Sequence, residues 1–227
     1  MGRTLALIIA ALFLLSNSVF AIPAEGEFLP IAHKSIWGVQ FNNIFARDFN
    51  KVEGKAGTTQ YFVKASYGLS ERLFIDGKIG LGKVVFKRND GLKLNFPTGF
   101  AGGYGFRYLC YDDAQKKIKV IAGFQHISCH PFKDIISNIN HRVIWDEWQG
   151  TLLLKKDFGK TAVYAGPQLS LAQLKYKVDD FRRRLKSEDS LGALLGIDYQ
   201  IAENASVNLE SRMFDEWAVN MGMSYRF

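Results

Sequence analysis

The chain has 227 residues, of which 48% are hydrophobic and 22% are charged, and its formal net charge is +7. The length allows one ordinary domain or one barrel, and a mean hydropathy of -0.05 fits a soluble protein or a membrane barrel whose apolar and polar residues alternate. A basic balance can indicate nucleic acid as a partner, but most basic residues are spread along the chain and the chain is predicted to be exported, so nucleic acid is not expected as a partner.

The first 21 residues have the features of a secretory signal peptide. Arg3 supplies a positive charge, residues 5–15 form an apolar core, and a small-x-small cleavage site ends at Ala21. The apolar core is too short to cross a hydrocarbon layer of about 30 Å. We therefore predict an exported chain with three parts: a signal peptide over 1–21, an N-terminal segment over 22–34, and a barrel over 35–227.

Ten later segments alternate between apolar and polar residues with a period of two, which predicts β-strands. They are 37–42, 60–69, 73–81, 100–108, 118–125, 147–154, 163–171, 191–199, 207–213 and 217–227. The last segment alternates strictly over its whole length, which matches the roughly 9–11 residues that a tilted strand needs to cross a bilayer. Short polar turns alternate with longer connections at 47–57, 87–96, 128–141 and 175–187, as in outer-membrane barrels. The sequence therefore predicts an all-β fold, a single antiparallel up-and-down transmembrane barrel of about ten strands.

The predicted lumen face carries charged residues of both signs. They are Lys64, Asp76, Lys78, Arg107, Lys119, Glu147, Asp198, Glu210 and Arg212. The interior of a small barrel is just wide enough for side chains to fill it, and an unpaired buried charge is costly. We therefore predict that these residues pair and largely fill the lumen. A narrow pore is the alternative.

The segment Phe124-Gln-His126-Ile-Ser128-Cys129 places two reactive side chains on one face. His126 and Ser128 are two residues apart, so on a strand they project to the same side, here the lipid-facing one. A serine next to a histidine can act as an activated nucleophile. This segment resembles the His-x-Ser motif of outer-membrane lipid A deacylases, although that family continues with Asn where this chain has Cys129. The resemblance implies an esterase acting on outer-leaflet lipid, and Asp146 is the acidic residue on the next strand that shares this face.

A basic cluster lies in the last long connection, which is predicted to be an external loop. It comprises Arg182, Arg183, Arg184 and Lys186. Arginine binds phosphate with two parallel hydrogen bonds, so lipopolysaccharide phosphates are a predicted partner. The alternative is a solvated charged loop without a partner.

Another predicted external loop contains His130, Asp134 and His141, residue types that bind metals. Their spacing matches no standard metal motif, so neither a metal nor another cofactor is predicted.

The C-terminal strand ends with large apolar residues at alternate positions, namely Met223, Tyr225 and Phe227. This ending resembles the C-terminal signature of outer-membrane β-barrel proteins. The resemblance implies recognition by the barrel-assembly machinery and a location in the bacterial outer membrane. The leading hypothesis is a non-enzymatic surface barrel with a filled lumen, with the esterase and the narrow pore as alternatives.

Overall fold

Side chains alternate between the inside and the outside of the barrel along its strands. The computed structural model of the protein describes residues 29–50, 54–136 and 139–227. On the last strand, Trp217–Arg226, for example, the even positions from Ala218 to Ser224 are buried, and the odd positions between them are partly exposed. This pattern is the expected result of a period-two sequence on a pleated strand. The predicted signal peptide over 1–21 lies outside the described residues.

The described part of the chain forms twelve strands. They are β1 Ser35–Phe49, β2 Gly54–Gly68, β3 Leu73–Arg88, β4 Lys93–Asp113, β5 Ile118–His130, β6 Asp134–Ile136, β7 Ile139–Phe158, β8 Thr161–Val178, β9 Phe181–Lys186, β10 Leu191–Ala202, β11 Ala205–Met213 and β12 Trp217–Arg226. Ten of them form a closed antiparallel ring, because β1 pairs with both β2 and β12, and β7 pairs with both β5 and β8. The predicted ten-strand barrel is confirmed.

The two short strands, β6 and β9, occupy connections that were predicted to be loops. β6 pairs with the start of β7, and β9 pairs with the end of β8. The prediction of irregular loops at 128–141 and 175–187 was therefore wrong, because hairpin pairing satisfies the backbone N–H and C=O groups there. The connection at 87–96 is also a hairpin, and Gly91 takes the positive φ of 90° in its turn. The end of the barrel that carries β6 and β9 is called the β9 end, and the opposite end, where β1 begins and β12 finishes, is called the terminal end.

Exposed apolar side chains cover the outer face of the barrel. Examples are Ile79, Leu81, Leu152, Leu154, Leu169, Leu171, Leu195 and Leu209, each at least 45% exposed. A soluble monomer rarely exposes apolar surface on this scale, and the outer wall of a membrane barrel does so by design. Within the described residues, no helix is both long and apolar enough to cross a membrane.

The interior is divided into an apolar region near the β9 end and a polar region below it. The apolar region contains Phe49, Val84, Phe86, Leu94, Phe96, Ile127, Trp145, Leu174 and Leu185. Its rings pack edge to face, with the centroids of Phe49 and Trp145 5.3 Å apart. The residues predicted for the lumen were all charged, so the sequence pattern did not predict this apolar region. It exists because several strands continue past the exposed apolar side chains of the outer face, and this extension needs a core of its own.

Candidate functional site

Arg47 lies at the centre of the first candidate site, a buried cluster of charges inside the barrel. A register shift in β1 that begins at Ile44 turns Arg47 inward, and its side chain is completely buried. Its Nη1 donates to Glu147 Oε1 at 2.6 Å, to Ser170 Oγ at 2.7 Å and to Glu216 Oε2 at 3.0 Å. One guanidinium therefore joins β1, β7, β8 and the turn between β11 and β12.

Arg212 is the second guanidinium of this cluster. It donates to Asn42 Oδ1 at 2.6 Å, and its Nη1 lies 3.0 Å from Glu216 Oε1. Glu210 lies beside it and accepts hydrogen bonds from Asn220 at 3.1 Å and from the Tyr164 hydroxyl at 3.3 Å. The cluster is thus continuous from Arg47 to the middle of the lumen.

Carboxyl groups outnumber guanidinium groups in this cluster. The described residues bring four carboxyl groups, those of Glu147, Glu210, Asp215 and Glu216, to the two arginines. Asp215 and Glu216 lie in the turn between β11 and β12, outside the strands. Burial, supported by the negative charge of Glu147, raises the pKa of Glu216 to about 8 against the opposing effect of Arg212. This shift favours the protonated form of Glu216, in which the excess negative charge of the cluster is smaller.

The predicted lumen residues lie inside the barrel and are paired in its polar region. Arg107 contacts Asp76 twice, with Nε–Oδ2 at 2.9 Å and Nη2–Oδ1 at 2.6 Å. Three further contacts join Lys155 to Asp198, Lys78 to Gln125 and Lys119 to Asp157. Lys64 is buried and helps to line a cavity of only about 20 Å³ beside Asp76 and Arg107. A cavity of this size holds little more than one water molecule.

The second candidate site is on the outer wall of the barrel and is called the outward cluster. Its members are His126, Ser128, His130, Asp146 and Lys175. The register pairs Ser128 of β5 directly with Asp146 of β7. Ser128 Oγ donates to Asp146 Oδ1 at 2.6 Å and lies 2.8 Å from His130 Nε2. Lys175 of β8 forms an ion pair with the other oxygen of Asp146.

His126 has a different position from the one that a His126–Ser128 pair requires. Its ring packs against Trp148 with centroids 4.1 Å apart and against Tyr104 with centroids 5.3 Å apart, and its Nε2 lies 3.9 Å from Asp146 Oδ1. Ser128 contacts His130 instead. The sequence pattern placed His130 in a loop. If the strand pattern is continued from Ser128 by two residues, His130 lies on the same face as Ser128.

The outward cluster contains the parts of a nucleophilic site. A serine hydroxyl within 2.8 Å of an imidazole nitrogen is a nucleophile and base pair. Asp146 contacts the serine directly, rather than standing behind the histidine as in the usual triad. The arrangement can remove a proton from Ser128, and the neighbouring lysine can hold an anionic group.

The other residues selected from the sequence are not members of either cluster. Met223 and Tyr225 of β12 pair with Val39 and Trp37 of β1 and so help to close the ring. Phe227 follows β12 at the terminal end and is exposed. The basic cluster belongs to β9 rather than to a loop. Its members Arg182, Arg184 and Lys186 alternate with Arg183, which projects to the other face over the Phe181 ring.

The three residues considered as metal ligands do not converge. His130 contacts Ser128 on the outer wall, whereas His141 points inward and forms a 2.7 Å hydrogen bond with the Tyr176 hydroxyl. Among the described residues, no group of three or more His, Cys, Asp or Glu side chains is placed to hold a metal ion.

No protein-family model matches the chain, and no curated protein matches it in sequence. Solved structures of outer-membrane proteins are similar to it in backbone course. The protease OmpT from Escherichia coli aligns with a TM-score of 0.49 and 9% identity, covering 89% of this chain and 100% of that one. An outer membrane channel from Pseudomonas putida F1 aligns with a TM-score of 0.47 and 10% identity, covering 90% and 99%.

The outer membrane protein OprG from Pseudomonas aeruginosa aligns with a TM-score of 0.43 and 13% identity, covering 87% of this chain and 97% of that one. Similarity at these levels assigns neither an activity nor a ligand to this chain.

Proposed function

We propose that the chain is a bacterial outer-membrane β-barrel that does not conduct and that acts through its outer wall and its external strands. The observation that carries this proposal is the completely buried Arg47 guanidinium, which ties β1, β7, β8 and the β11–β12 turn together across the lumen. The apolar region packed around Trp145 lies in the same half of the barrel. Ions would have to displace both to cross.

The dimensions of the outer wall support the proposed membrane placement. On β7 the outward side chains between Lys156 and Asp146 include Leu154, Leu152 and Trp148. That stretch spans about 25 Å along the barrel axis, at ~3.3 Å per residue and a tilt of ~40°. This is the height of the apolar band of outer-membrane barrels. The β9 end is then external and the terminal end periplasmic.

The refolded barrel is expected to produce no discrete conductance steps in a planar lipid bilayer. The expectation follows from the packed charges around Arg47 and from the apolar region around Trp145, both of which an ion would have to displace. Single-channel recording in concentrated KCl tests it, with a large porin as the positive control for insertion. Reproducible single-channel steps from the wild-type protein would show that a path past Arg47 exists and would support the narrow pore instead.

A second candidate function is a serine hydrolase that acts on an acyl ester of outer-leaflet lipid. The observation that favours it is the contact of Ser128 Oγ with both His130 Nε2 and Asp146. In this scheme the Ser128 hydroxyl first turns its hydrogen from Asp146 Oδ1 to His130 Nε2, and Ser128 Oγ then attacks the ester carbonyl while His130 Nε2 takes that proton. The alkoxide of the lipid leaves with that proton, and water then releases the fatty acid from the acyl-serine. The site opens toward lipid, where such a substrate lies.

Replacing Ser128 with alanine is expected to abolish any loss of an acyl chain from lipid A in cells that express the protein. Mass spectrometry of extracted lipid A measures this, and Thr59→Ala is the matched control because Thr59 is another hydroxyl on the outward face, bonded to Asn43. Unchanged lipid A with correctly folded wild-type protein would eliminate deacylation. Equal activity of wild type and Ser128→Ala would eliminate Ser128 as the nucleophile.

A further inference from the structure

Cationic side chains form rows across β7, β8 and β9 at the β9 end. The register pairs Arg142 with Lys177 and pairs Lys177 with Arg182, so three cations stand side by side. One step closer to the apolar band, Lys175 pairs with Arg184. Directly paired residues project to the same face with their Cβ atoms about 5 Å apart. Together with Lys186, these residues form what we call the basic face: Arg142, Lys175, Lys177, Arg182, Arg184 and Lys186.

This arrangement is unfavourable unless an anion is present. Like charges directly opposite each other destabilise a strand pair, and the basic face repeats that pairing in two successive rows. Among the described residues its acidic neighbours are Asp146, which pairs with Lys175, Asp179, Glu188 two residues after Lys186, and Asp180, which lies 3.6 Å from Lys177 and is fully exposed. Six cations against these four carboxylates leave an excess of two positive charges. An external anion would relieve the repulsion that this excess creates.

An open cleft adjoins the basic face. Its volume is about 430 Å³, and it is lined by Lys133, Asn140, Arg142, Lys177, Asp179 and Asp180. Lys133 adds a further cation beside the first row. The cleft gives the basic face a concave edge, which a headgroup can enter while its acyl chains stay against the outer wall.

We infer that the basic face binds phosphate groups of outer-leaflet lipid headgroups. The inference rests on the proposed placement in the outer membrane and does not require hydrolysis at Ser128. Arginine and lysine bind phosphate with charge-assisted hydrogen bonds, and arginine does so with a fork that fits two phosphate oxygens. The basic face offers this fork from Arg142, Arg182 and Arg184.

The height of the basic face selects lipid as the source of the phosphate. Asp146 and Gln173 are paired at the upper edge of the apolar band. Lys175 and Lys177 follow on β8, about 5 and 10 Å further along the barrel axis at ~3.3 Å per residue and a tilt of ~40°. This is the level at which headgroup phosphates begin outside a hydrocarbon layer of about 30 Å. The face also projects outward, toward lipid, rather than into the lumen.

The same end of the barrel provides an internal comparison. Lys55, Lys87 and Lys93 form one row of cations across β2, β3 and β4 on the outward face. This row contains no arginine, and Asp48 lies 3.1 Å from Lys55. It has three cations, as does the row through Lys177. Unlike the basic face, it has, among the described residues, no second row of cations beside it, no arginine fork and no adjoining cleft. It is therefore a control for attraction by charge alone.

Binding of lipid A with and without its phosphates to the detergent-solubilised barrel tests the inference, with native mass spectrometry as the readout. We expect wild type to prefer phosphorylated lipid A. The variant Lys177→Gln/Arg182→Gln is expected to bind it about tenfold more weakly, because two charge-assisted contacts are lost. The variant Lys87→Gln/Lys93→Gln removes the same charge and is expected to bind as wild type does.

Three results would overturn the inference. Equal weakening in both double variants would reduce the effect to net charge. Equal binding of phosphorylated and dephosphorylated lipid A would remove phosphate as the ligand. Displacement of lipid A by excess inorganic phosphate would point to a site for free phosphate rather than for lipid. Failure of the proposed membrane placement is detected separately, by the absence of the protein from the outer-membrane fraction of cells.

Discussion

Replacing Arg47 with alanine is expected to lower the free energy of unfolding by about 3–5 kcal/mol, the cost of removing one partner from a buried ion pair. The Arg47 guanidinium is completely buried and holds Glu147 and Glu216 at 2.6 and 3.0 Å. Without it, the carboxylate of Glu147 stays buried beside Asp215 and Glu216 with one cation fewer. The loss of stability therefore comes mainly from the charge that is left behind, not from the missing side chain itself.

Urea unfolding of the barrel refolded into lipid vesicles, followed by tryptophan fluorescence, measures this change. Lys55→Ala is the control, because it also removes a cation from an ion pair, here with Asp48, but both side chains are at least 50% exposed. Exposed pairs contribute about 1 kcal/mol or less. Similar stability of wild type and Arg47→Ala would mean that the buried cluster does not hold the barrel together.

The stability of the barrel is expected to fall as the pH rises from about 5 to about 8, and Glu216→Gln is expected to remove most of that fall. Burial raises the pKa of Glu216 from its ordinary 4.5 to about 8 in the folded state. Between these values the folded chain binds a proton that the unfolded chain has released. The stabilisation from this proton is complete below pH 4.5 and is lost as the pH rises through the folded pKa, with a slope of at most about 1.4 kcal/mol per pH unit.

Unfolding experiments at pH 6 and pH 9 on wild type and Glu216→Gln test this expectation, because glutamine keeps the shape of the neutral carboxyl group. Glu203→Gln is the control, since Glu203 is an exposed glutamate in the turn between β10 and β11. A pH slope in Glu216→Gln as steep as in wild type would assign the titration to another group. A slope that disappears in Glu203→Gln would do the same.

The barrel itself was predictable because its signal is local. A period of two needs only neighbouring residues, so the sequence indicated the ring strands and the inward charges such as Arg107 and Asp76, which the structure pairs. Arg47 could not be found in this way. Its inward direction depends on a register shift in β1 after Ile44, and one extra residue reverses the face of every residue that follows. The sequence therefore left Arg47 in a loop.

The outward cluster was only partly predictable for a related reason. Ser128 and its shared face with Asp146 follow from alternation on two adjacent strands. The contact of Ser128 with His130 depends on β5 continuing as far as His130. The ion pair of Lys175 with Asp146 depends on the alignment of β7 with β8. The rows of the basic face are likewise a product of cross-strand register, since Arg142 and Arg182 are distant in sequence and become neighbours only through Lys177.

The contacts of Arg47 also set the order of events when the barrel forms and comes apart. Its partners Glu147, Ser170 and Glu216 are 100, 123 and 169 residues away along the chain. The bond to Glu216 requires that the hairpin of β11 and β12 has reached β1, so it needs a closed ring. Interactions made after the rate-limiting step slow unfolding without speeding folding. We therefore expect this bond to slow the unfolding of the finished ring more than it speeds the folding of the chain.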